Sequence, residues 1–311
     1  MLVRVVFFGS SGFAVPALVA LARDAAVEIP FVVSQPDRVR GRGNKVLPTP
    51  VKAAALEAGL RVLEPERVKG DAGFLAALAG AAPDLIVVAS YGQLLPKEVL
   101  DLPRLGCVNI HASLLPRYRG AGPIRQAILA GDAETGVTLM RMGEGLDDGD
   151  IIVQAALAVG DRNAGELTEA LAEAGAALLL EALPSLADGT ALSLPQDAAL
   201  VTYAPKLEKA GARIDWGQPA DAVVRLVRAM GPEPGAYTMQ GDVRVRVLRA
   251  HAAAAAGEGP AGSIASVSGD GIVVRAGSGA VTLDVIGMPG KRPMPVSDFL
   301  RGNRFPDTPL T

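Results

Sequence analysis

The sequence predicts an α/β protein in which a doubly wound domain is followed by a small β-barrel of the oligonucleotide-binding type. The first 188 residues alternate short apolar runs with amphipathic segments, as expected when helices cover a mostly parallel sheet. Residues 189–205 consist of Gly, Pro and short polar runs, which indicates a linker. Residues 206–311 hold an amphipathic helix and then short β-compatible runs between Gly-rich turns, a pattern typical of a small barrel.

The bulk properties of the chain fit two such domains. Its 311 residues are enough for two cores, and a composition that is 50% hydrophobic and 20% charged favours a globular chain over a disordered one. Cys107 is the only cysteine, so no intrachain disulfide can form, and with two histidines no Cys/His metal cluster can be assembled. The amino terminus is typical of a first strand rather than a signal peptide, and no run is predicted to cross a membrane. We therefore expect a cytoplasmic protein, and a monomer.

The first domain is predicted to begin with strand 3–8, a turn and helix 15–23. The turn holds only Gly9 and Gly12 of the G-x-G-x-x-G pattern, so a dinucleotide site is not indicated. The last helix is predicted to end at Pro184. The other elements, in chain order, are strand 28–34, helix 50–58, strand 61–63, helix 71–79, strand 84–89, strand 107–111, helix 123–130, strand 136–142, strand 151–159 and helix 165–183.

The second domain differs from the first in charge as well as in pattern. Residues 1–205 hold 17 Lys and Arg against 23 Asp and Glu, whereas residues 206–311 hold 13 against 10. A basic domain joined to an acidic one is the asymmetry expected when one part of a protein contacts phosphates. The predicted elements are helix 219–230 and strands 236–239, 243–250, 262–267, 271–275 and 281–286.

Two polar side chains stand at the end of the predicted strand 107–111. Asn109 and His111 share one face because strand side chains alternate, and open α/β sheets bind ligands at the carboxyl ends of their strands. A carboxamide and an imidazole can both donate to an oxygen that becomes negative, as in acyl transfer. Asp147, in the acidic stretch 145–150, can supply a carboxylate that orients the imidazole and holds a water for proton transfer. A single histidine, however, is more often packed or solvated than catalytic.

Four stretches of the sequence resemble the formyltransferase family that uses 10-formyltetrahydrofolate. They are Asn109-Ile110-His111, Ser113 to Gly120, Gly131 to Thr138, and Gly145 to Asp150. The resemblance is strongest to the branch that formylates initiator methionyl-tRNA, and it extends into residues 214–236. It implies a Rossmann-like catalytic domain at 1–188, an RNA-binding domain at 206–311, and formyl transfer from 10-formyltetrahydrofolate to initiator methionyl-tRNA. The catalytic Asn, His and Asp of the family fall on Asn109, His111 and Asp147.

The resemblance also implies where the folate binds. Main-chain groups and apolar side chains after strand 84–89 would line the pterin pocket, whereas without the resemblance this stretch is a simple strand-to-helix turn. No metal is expected, because the carboxylates of Asp148 and Asp150 are not spaced as in a calcium loop. The implied folate contacts are Ser90, Tyr91, Gly92, Gln93, Leu94, Leu95, Ser113, Leu114, Leu115 and Pro116.

A further set of basic residues is expected to contact RNA. The segment 38–45 places basic side chains among glycines, which is typical either of a mobile surface loop or of a flexible clamp for an RNA backbone and unpaired bases. The family resemblance favours a clamp on the acceptor end of the tRNA. Arginines of the second domain are candidate phosphate contacts, although they can equally be ordinary surface charge. The RNA-contact residues are thus Arg38, Arg40, Arg42, Lys45, Arg244 and Arg246.

Two other functions stay open from the sequence. A related enzyme would use the same chemistry on a small amine, or would hydrolyse the formyl-folate, but it would need neither the basic segment nor the basic domain. A non-catalytic RNA-binding protein would explain the basic residues but not the convergence of Asn109, His111 and Asp147.

Overall fold

The computed structural model describes residues 2–40, 45–253, 257–269 and 271–311. Contacts between residues divide the chain into two units. Unit 1 comprises Met1–Pro123, Thr135–Ala158 and Thr168–Ala204, and unit 2 comprises Ile124–Glu134, Val159–Leu167 and Pro205–Thr311. Unit 1 thus continues to Ala204, through most of the segment that the sequence predicts to be a linker, and unit 2 includes two short stretches of the predicted first domain.

Strands and helices alternate along the first two thirds of the chain, and strands dominate the last third. The strands are β1 (Val3–Gly9), β2 (Val27–Glu28), β3 (Val32–Val33), β4 (Arg38–Arg40), β5 (Lys45–Leu47), β6 (Val62–Leu63), β7 (Leu85–Ala89), β8 (Cys107–His111), β9 (Glu134–Arg141), β10 (Ile151–Ala158), β11 (Ala236–Gln240), β12 (Val243–Ala253), β13 (Ile264–Ser268), β14 (Gly271–Arg275), β15 (Ala280–Gly287) and β16 (Met294–Pro295). The helices are α1 (Val15–Arg23), α2 (Pro50–Glu57), α3 (Ala72–Ala81), α4 (Lys97–Leu100), α5 (Pro123–Ala130), α6 (Ala164–Ala187), α7 (Ala220–Met230) and α8 (Val296–Gly302).

The sheet of unit 1 is built around β1. Its order is β10-β9-β8-β7-β1-β3-β6, with the strands from β6 to β8 parallel and β9 antiparallel to β8. The chain moves outward from β1 in both directions, so β1 borders the switch point of a doubly wound sheet. Every residue of β7 and β8 is buried, as expected for parallel strands covered on both faces.

The prediction of one continuous strand over 28–34 is wrong. The structure has two short strands there, β2 and β3, and both pair with β1 in parallel. Pro30 lies between them and has no N–H to donate to the ladder, which explains the interruption.

The two described ends of the basic segment 38–45 lie in paired strands, and residues 41–44 are outside the described residues. β4 and β5 pair in antiparallel register, with Arg38 opposite Leu47. Lys52 anchors the chain just before β4, because its Nζ donates to Asp37 Oδ2 at 2.7 Å. This bond is the main reason why the pKa of Lys52 is raised.

Helix α6 is longer than predicted. It runs through Pro184 to Ala187, whereas the sequence predicts that the proline ends it. A proline inside a helix removes one backbone hydrogen bond and costs about 3 kcal/mol. Burial of the flanking Leu183 and Leu186 offsets this cost, since both side chains lie in the core while Pro184 is on the exposed face.

Packing of α6 against β8 supports the strand that carries the candidate site. Gly175 allows the close approach, because a Cβ there would lie 2.8 Å from Cγ2 of Ile110. Among the described residues, α6 is the one helix long and apolar enough to cross a membrane, and half of its most apolar stretch is buried inside the protein. Helices in the core of a globular protein meet the same criteria of length and hydropathy.

Unit 2 is organised around an antiparallel sheet in the order β11-β12-β15-β14-β13, with β16 beside β15. The core of this unit includes Trp216, whose indole N–H donates to Thr238 Oγ1 at 2.9 Å. Helix α7 packs its buried face, including Val223 and Val227, into the same core. The five longer strands agree with the predicted ones, whereas β16 and α8 lack a clear signal in the sequence.

Candidate active site

Asn109 and His111 lie at the carboxyl end of β8. The strand pairs with β7 at Val88↔Asn109 and with β9 at His111↔Thr138. The two side chains are two residues apart on one face, about 7 Å along the strand. Neighbouring elements leave Asn109 9% and His111 7% exposed, so both are largely shielded from water.

The two ring nitrogens of His111 have different neighbours. Nε2 lies 2.9 Å from the carbonyl oxygen of Tyr118. Because a carbonyl can only accept, Nε2 donates in this bond. Nδ1 faces Asp147 Oδ2 at 3.6 Å, slightly beyond direct hydrogen-bonding distance. Nδ1 is therefore the nitrogen left to exchange a proton or to contact a substrate beside Asp147.

The Asp147 carboxylate is held by the loop that follows β8. The Gly120 N–H donates to Asp147 Oδ2 at 2.8 Å. Gly120 has φ +112°, and a Cβ there would lie 2.9 Å from the carbonyl oxygen of Ala204, so glycine is required at this position. Asp147 itself has φ +50°, a left-handed conformation that is uncommon for residues other than glycine.

Residues that the sequence assigns to a linker also contribute to this site. Gln196 Nε2 donates to the carbonyl oxygens of Asp147 and Gly149, both at 2.8 Å. Thr202 Oγ1 accepts from the Tyr118 N–H at 2.9 Å. Both were missed because the stretch has no periodic apolar pattern. Polar side chains are the only signal in this stretch, and they do not distinguish a solvated linker from a segment that contacts the site.

The loop at 113–116 is shaped by its own hydrogen bonds. Thr138 Oγ1 donates to the Ser113 carbonyl oxygen at 2.6 Å and accepts from the Leu115 N–H at 3.0 Å. The side chains of Ser113 and Leu115 are buried, so they fix the loop, while Leu114 and Pro116 are partly accessible. Contact between this loop and folate stays a prediction.

Three of the predicted folate contacts after β7 belong to the packing of unit 1. Tyr91 packs edge-on against Phe8 with ring centroids 5.2 Å apart, and burial raises the pKa of its phenol. Leu95 is buried in the same core. Gln93 Oε1 accepts from the Val68 N–H at 3.0 Å and so ties this stretch to another loop.

The other predicted contacts after β7 are exposed. Ser90 and Gly92 have φ +47° and +91°, so the backbone bends sharply where the strand ends. Leu94 is 67% exposed, which is unusual for a leucine next to a buried strand. The structure therefore leaves backbone and an apolar side chain accessible at the same sheet edge as Asn109.

The predicted RNA contacts fall in different environments. Arg38 is exposed on β4, Arg42 lies outside the described residues, and so do the side chains of Arg40 and Lys45. In unit 2, the Arg244 guanidinium stacks 3.7 Å from the centroid of the Tyr237 ring.

Arg246 has a different partner from Arg244. Its Nη1 lies 3.4 Å from Glu233 Oε1, and its side chain is only 24% exposed. Arg244 is therefore the more available of the two arginines for a phosphate.

No group of three or more His, Cys, Asp or Glu side chains suited to a metal ion occurs in the described part of the chain. Asp148 and Asp150 share a loop with Asp147. Their carboxylates differ in their contacts, because Asp148 is exposed and Asp150 Oδ2 accepts from Ser193 Oγ at 3.4 Å.

Gly149 controls the position of the Asp147 loop, and replacing it by alanine is expected to impair the site. The added Cβ would lie 2.0 Å from the carbonyl oxygen of Arg141, so the loop must move. A shift of about 1 Å can cost about 100-fold in rate, and we expect a fall of that size in turnover together with a lower melting temperature. Gly80→Ala is the matched control, because the space around that Cβ is open. Unchanged turnover of Gly149→Ala would show that the loop position is unimportant.

A doubly wound sheet with Asn109, His111 and Asp147 at its carboxyl edge defines an α/β enzyme of the group-transfer class. Comparison with known families narrows this class. The family model described as formyl transferase matches residues 3–183, and the one described as formyl transferase, C-terminal domain, matches residues 206–304. The chain belongs to the formyl transferase family. The fold class and the family predicted from the sequence are thereby confirmed.

Relatives match the chain over nearly its whole length. Methionyl-tRNA formyltransferase of Moorella thermoacetica is 47% identical over 300 residues, which cover 96% of each chain. Methionyl-tRNA formyltransferase of Paracoccus denitrificans is 48% identical over 307 residues, which cover 98% of this chain and 99% of the relative.

Solved structures share the fold at much lower identity. WlaRD, a sugar 3N-formyl transferase in the presence of dTDP and 5-N-formyl-THF, has a TM-score of 0.68 and 16% identity, with 94% of this chain and 100% of that chain covered. HypX from Aquifex aeolicus, in complex with tetrahydrofolic acid, has a TM-score of 0.64 and 20% identity, with 96% of this chain and 47% of that chain covered. These likenesses show the fold alone.

Proposed function

We propose that this enzyme transfers the formyl group of 10-formyltetrahydrofolate to the amino group of methionine on initiator methionyl-tRNA. The observation that carries the proposal is the shielded trio of Asn109, His111 and Asp147 at the carboxyl edge of the sheet. Relatives named for this reaction, 47–48% identical over nearly the whole chain, support the choice of acceptor.

In this reaction the methionine amino nitrogen forms a bond to the formyl carbon. The bond from that carbon to N10 of the folate breaks, and the proton lost by the amine passes to N10. Asn109 donates from its carboxamide to the formyl oxygen as negative charge develops there. When the ring carries a proton on both nitrogens, His111 donates to the same oxygen from Nδ1, because its Nε2 already donates to the carbonyl oxygen of Tyr118.

Asp147 has two roles in the proposed mechanism. Its carboxylate faces His111 Nδ1 at 3.6 Å and so holds the ring in orientation. The same carboxylate accepts the amine proton, directly or through a water, and returns a proton to the leaving nitrogen. The Gly120 N–H donates to the Asp147 carboxylate and keeps it in place. The carboxylate is therefore already oriented before the reaction begins.

The stretch 90–94 fits a flat heteroaromatic ring such as a pterin. The backbone bends at Ser90 and Gly92 leave main-chain donors and acceptors at the sheet edge, and the exposed Leu94 offers an apolar surface. A ring of this kind has polar edges and apolar faces, so it needs both types of contact. We therefore assign the folate ring to this edge, beside Leu114 and Pro116.

Transfer of labelled formyl tests the proposal directly. The enzyme is incubated with labelled 10-formyltetrahydrofolate and initiator methionyl-tRNA, with uncharged tRNA and small amines as parallel acceptors. We expect label on the charged tRNA alone. Label on a small amine but not on methionyl-tRNA would point to a small-acceptor enzyme, and loss of the formyl group to water would point to a hydrolase.

Contact with the tRNA is tested at Arg244, which is exposed and stacked on Tyr237. Arg244→Gln is expected to raise KM for the tRNA several-fold, to leave KM for the folate unchanged, and to reduce the slope of log affinity against log salt by about 1. Arg301→Gln is the matched control, because Arg301 is 79% exposed and pairs with Asp298, three residues away on α8. An equal effect of both substitutions would show that Arg244 contributes only general charge.

The predicted cytoplasmic location and monomeric state stay predictions. Size-exclusion chromatography with and without tRNA tests the second of these.

A further inference from the structure

We propose that Gln196 is a positioning residue for Asp147 and that its side chain sets the rate of formyl transfer. The inference rests on the proposed function and deepens it. Gln196 lies nine residues beyond the end of α6, in the stretch that the sequence predicts to be a linker.

The amide group of Gln196 holds the backbone of the Asp147 loop at two points. Nε2 donates to the carbonyl oxygens of Asp147 and Gly149, each at 2.8 Å. Both hydrogens of one NH₂ group are thereby used on the two backbone carbonyl groups on either side of Asp148.

The side-chain carbonyl group of Gln196 binds the segment that follows His111, at Arg119. Oε1 accepts from Nε of Arg119 at 3.0 Å and from its Nη2 at 2.8 Å. Arg119 lies between Tyr118 and Gly120, whose backbone groups contact His111 and Asp147 respectively. One carboxamide therefore connects the loop that carries Asp147 with the segment that orients both members of the pair.

The Asp147 loop depends on such contacts because it has little packing of its own. Residues 143–146 and 148 are all exposed. Asp147 nevertheless adopts φ +50°, a conformation that persists only where the surroundings over-determine it. The hydrogen bonds from Gln196 and Gly120 hold Asp147 in this conformation.

Gln196→Met tests the proposal, because methionine has a similar length and neither donates nor accepts strongly. We expect kcat to fall about 100-fold, as when catalytic groups shift by about 1 Å, with KM for both substrates unchanged. Gln218→Met is the matched control, since Gln218 also uses its Nε2 on a nearby acceptor, Asp215, but lies in unit 2. Wild-type kcat in Gln196→Met would overturn the proposal.

A second variant separates the two halves of the carboxamide. Gln196→Glu keeps an acceptor for Arg119 but replaces the NH₂ group with an oxygen that faces two carbonyl oxygens. If Gln196 acts through the Asp147 loop, Gln196→Glu has kcat as low as Gln196→Met. Recovery of wild-type kcat in Gln196→Glu would assign the effect to the Arg119 bond and contradict the proposal.

A double-substitution cycle distinguishes positioning from general support of the fold. Gln196→Met is measured in the wild-type and in the Asp147→Asn background, by single turnover with excess enzyme. A positioning role predicts little further loss in the Asp147→Asn background, because the group that Gln196 positions is already disabled. Losses that multiply would show that Gln196 acts independently of Asp147.

The wild-type assay separates failure of this inference from failure of the proposed function. If the wild-type enzyme does not label methionyl-tRNA, the proposed function fails before any variant is compared. If it does, the three measurements on Gln196 decide the positioning role alone.

Discussion

Asp147→Asn is expected to lower kcat by about 10²- to 10⁴-fold, the range for loss of a general acid–base group. Asparagine keeps the shape of the side chain and can still accept from the Gly120 N–H, so the fold is retained. It cannot accept the amine proton, however, and it presents no charge to His111 Nδ1, which lies 3.6 Å from the carboxylate. Single-turnover transfer of labelled formyl to methionyl-tRNA measures the effect.

Asp148→Asn is the matched control for this measurement. Asp148 is the neighbouring carboxylate, and it is exposed, whereas the Asp147 side chain is 16% exposed. We expect near-normal kcat from Asp148→Asn and an unchanged melting temperature from both variants. Near-normal kcat from Asp147→Asn would remove Asp147 from the mechanism.

Asn109→Leu is expected to lower kcat by about 10²- to 10³-fold, as when one oxyanion donor is lost. Leucine is close to asparagine in size, so packing around β8 is preserved while the donor disappears. KM should change little, because the carboxamide interacts most strongly with the charge that develops after binding. Steady-state formyl transfer with each substrate varied in turn measures both constants.

The control for Asn109→Leu is the same change at Asn303. That residue is exposed at the end of α8, where its Nδ2 donates to the Phe299 carbonyl oxygen. We expect Asn303→Leu to transfer formyl at the wild-type rate. A rise in KM for folate with kcat intact in Asn109→Leu would assign Asn109 to substrate binding rather than to catalysis.

The sequence predicts the sheet and one part of the site well because both follow from local patterns. Continuous apolar runs mark β1, β7 and β8, and an alternation of period two is enough to place Asn109 and His111 on one face. Asp147 is different. Its position beside His111 depends on the path of the loop after β9, which periodicity does not describe. The residues alone make Asp147 a candidate partner of His111, and the family resemblance favours it.

Other features depend on tertiary contacts that leave no local pattern. Pro184 is a reliable helix end in isolation, but buried leucines on both sides keep it within α6. Arg38 precedes glycines that suggest an irregular loop, yet it lies in a paired strand. Gln196 and Thr202 act through side-chain hydrogen bonds in an irregular stretch, so no pattern in the sequence distinguishes them from solvated linker residues.

The two family models end at residue 183 and begin again at residue 206, and the stretch with Gln196 and Thr202 falls between them. A comparison of relatives made one domain at a time would therefore discard the two side chains that connect this stretch to Asp147 and Tyr118. If catalytic domains were exchanged between relatives and joined at the end of α6, the loop that carries Asp147 would come from one parent. The stretch that carries Gln196 and Thr202 would come from the other. For such a chimera, a junction after Ala204 keeps the contacts of Gln196 and Thr202 with Asp147 and Tyr118 within one parent.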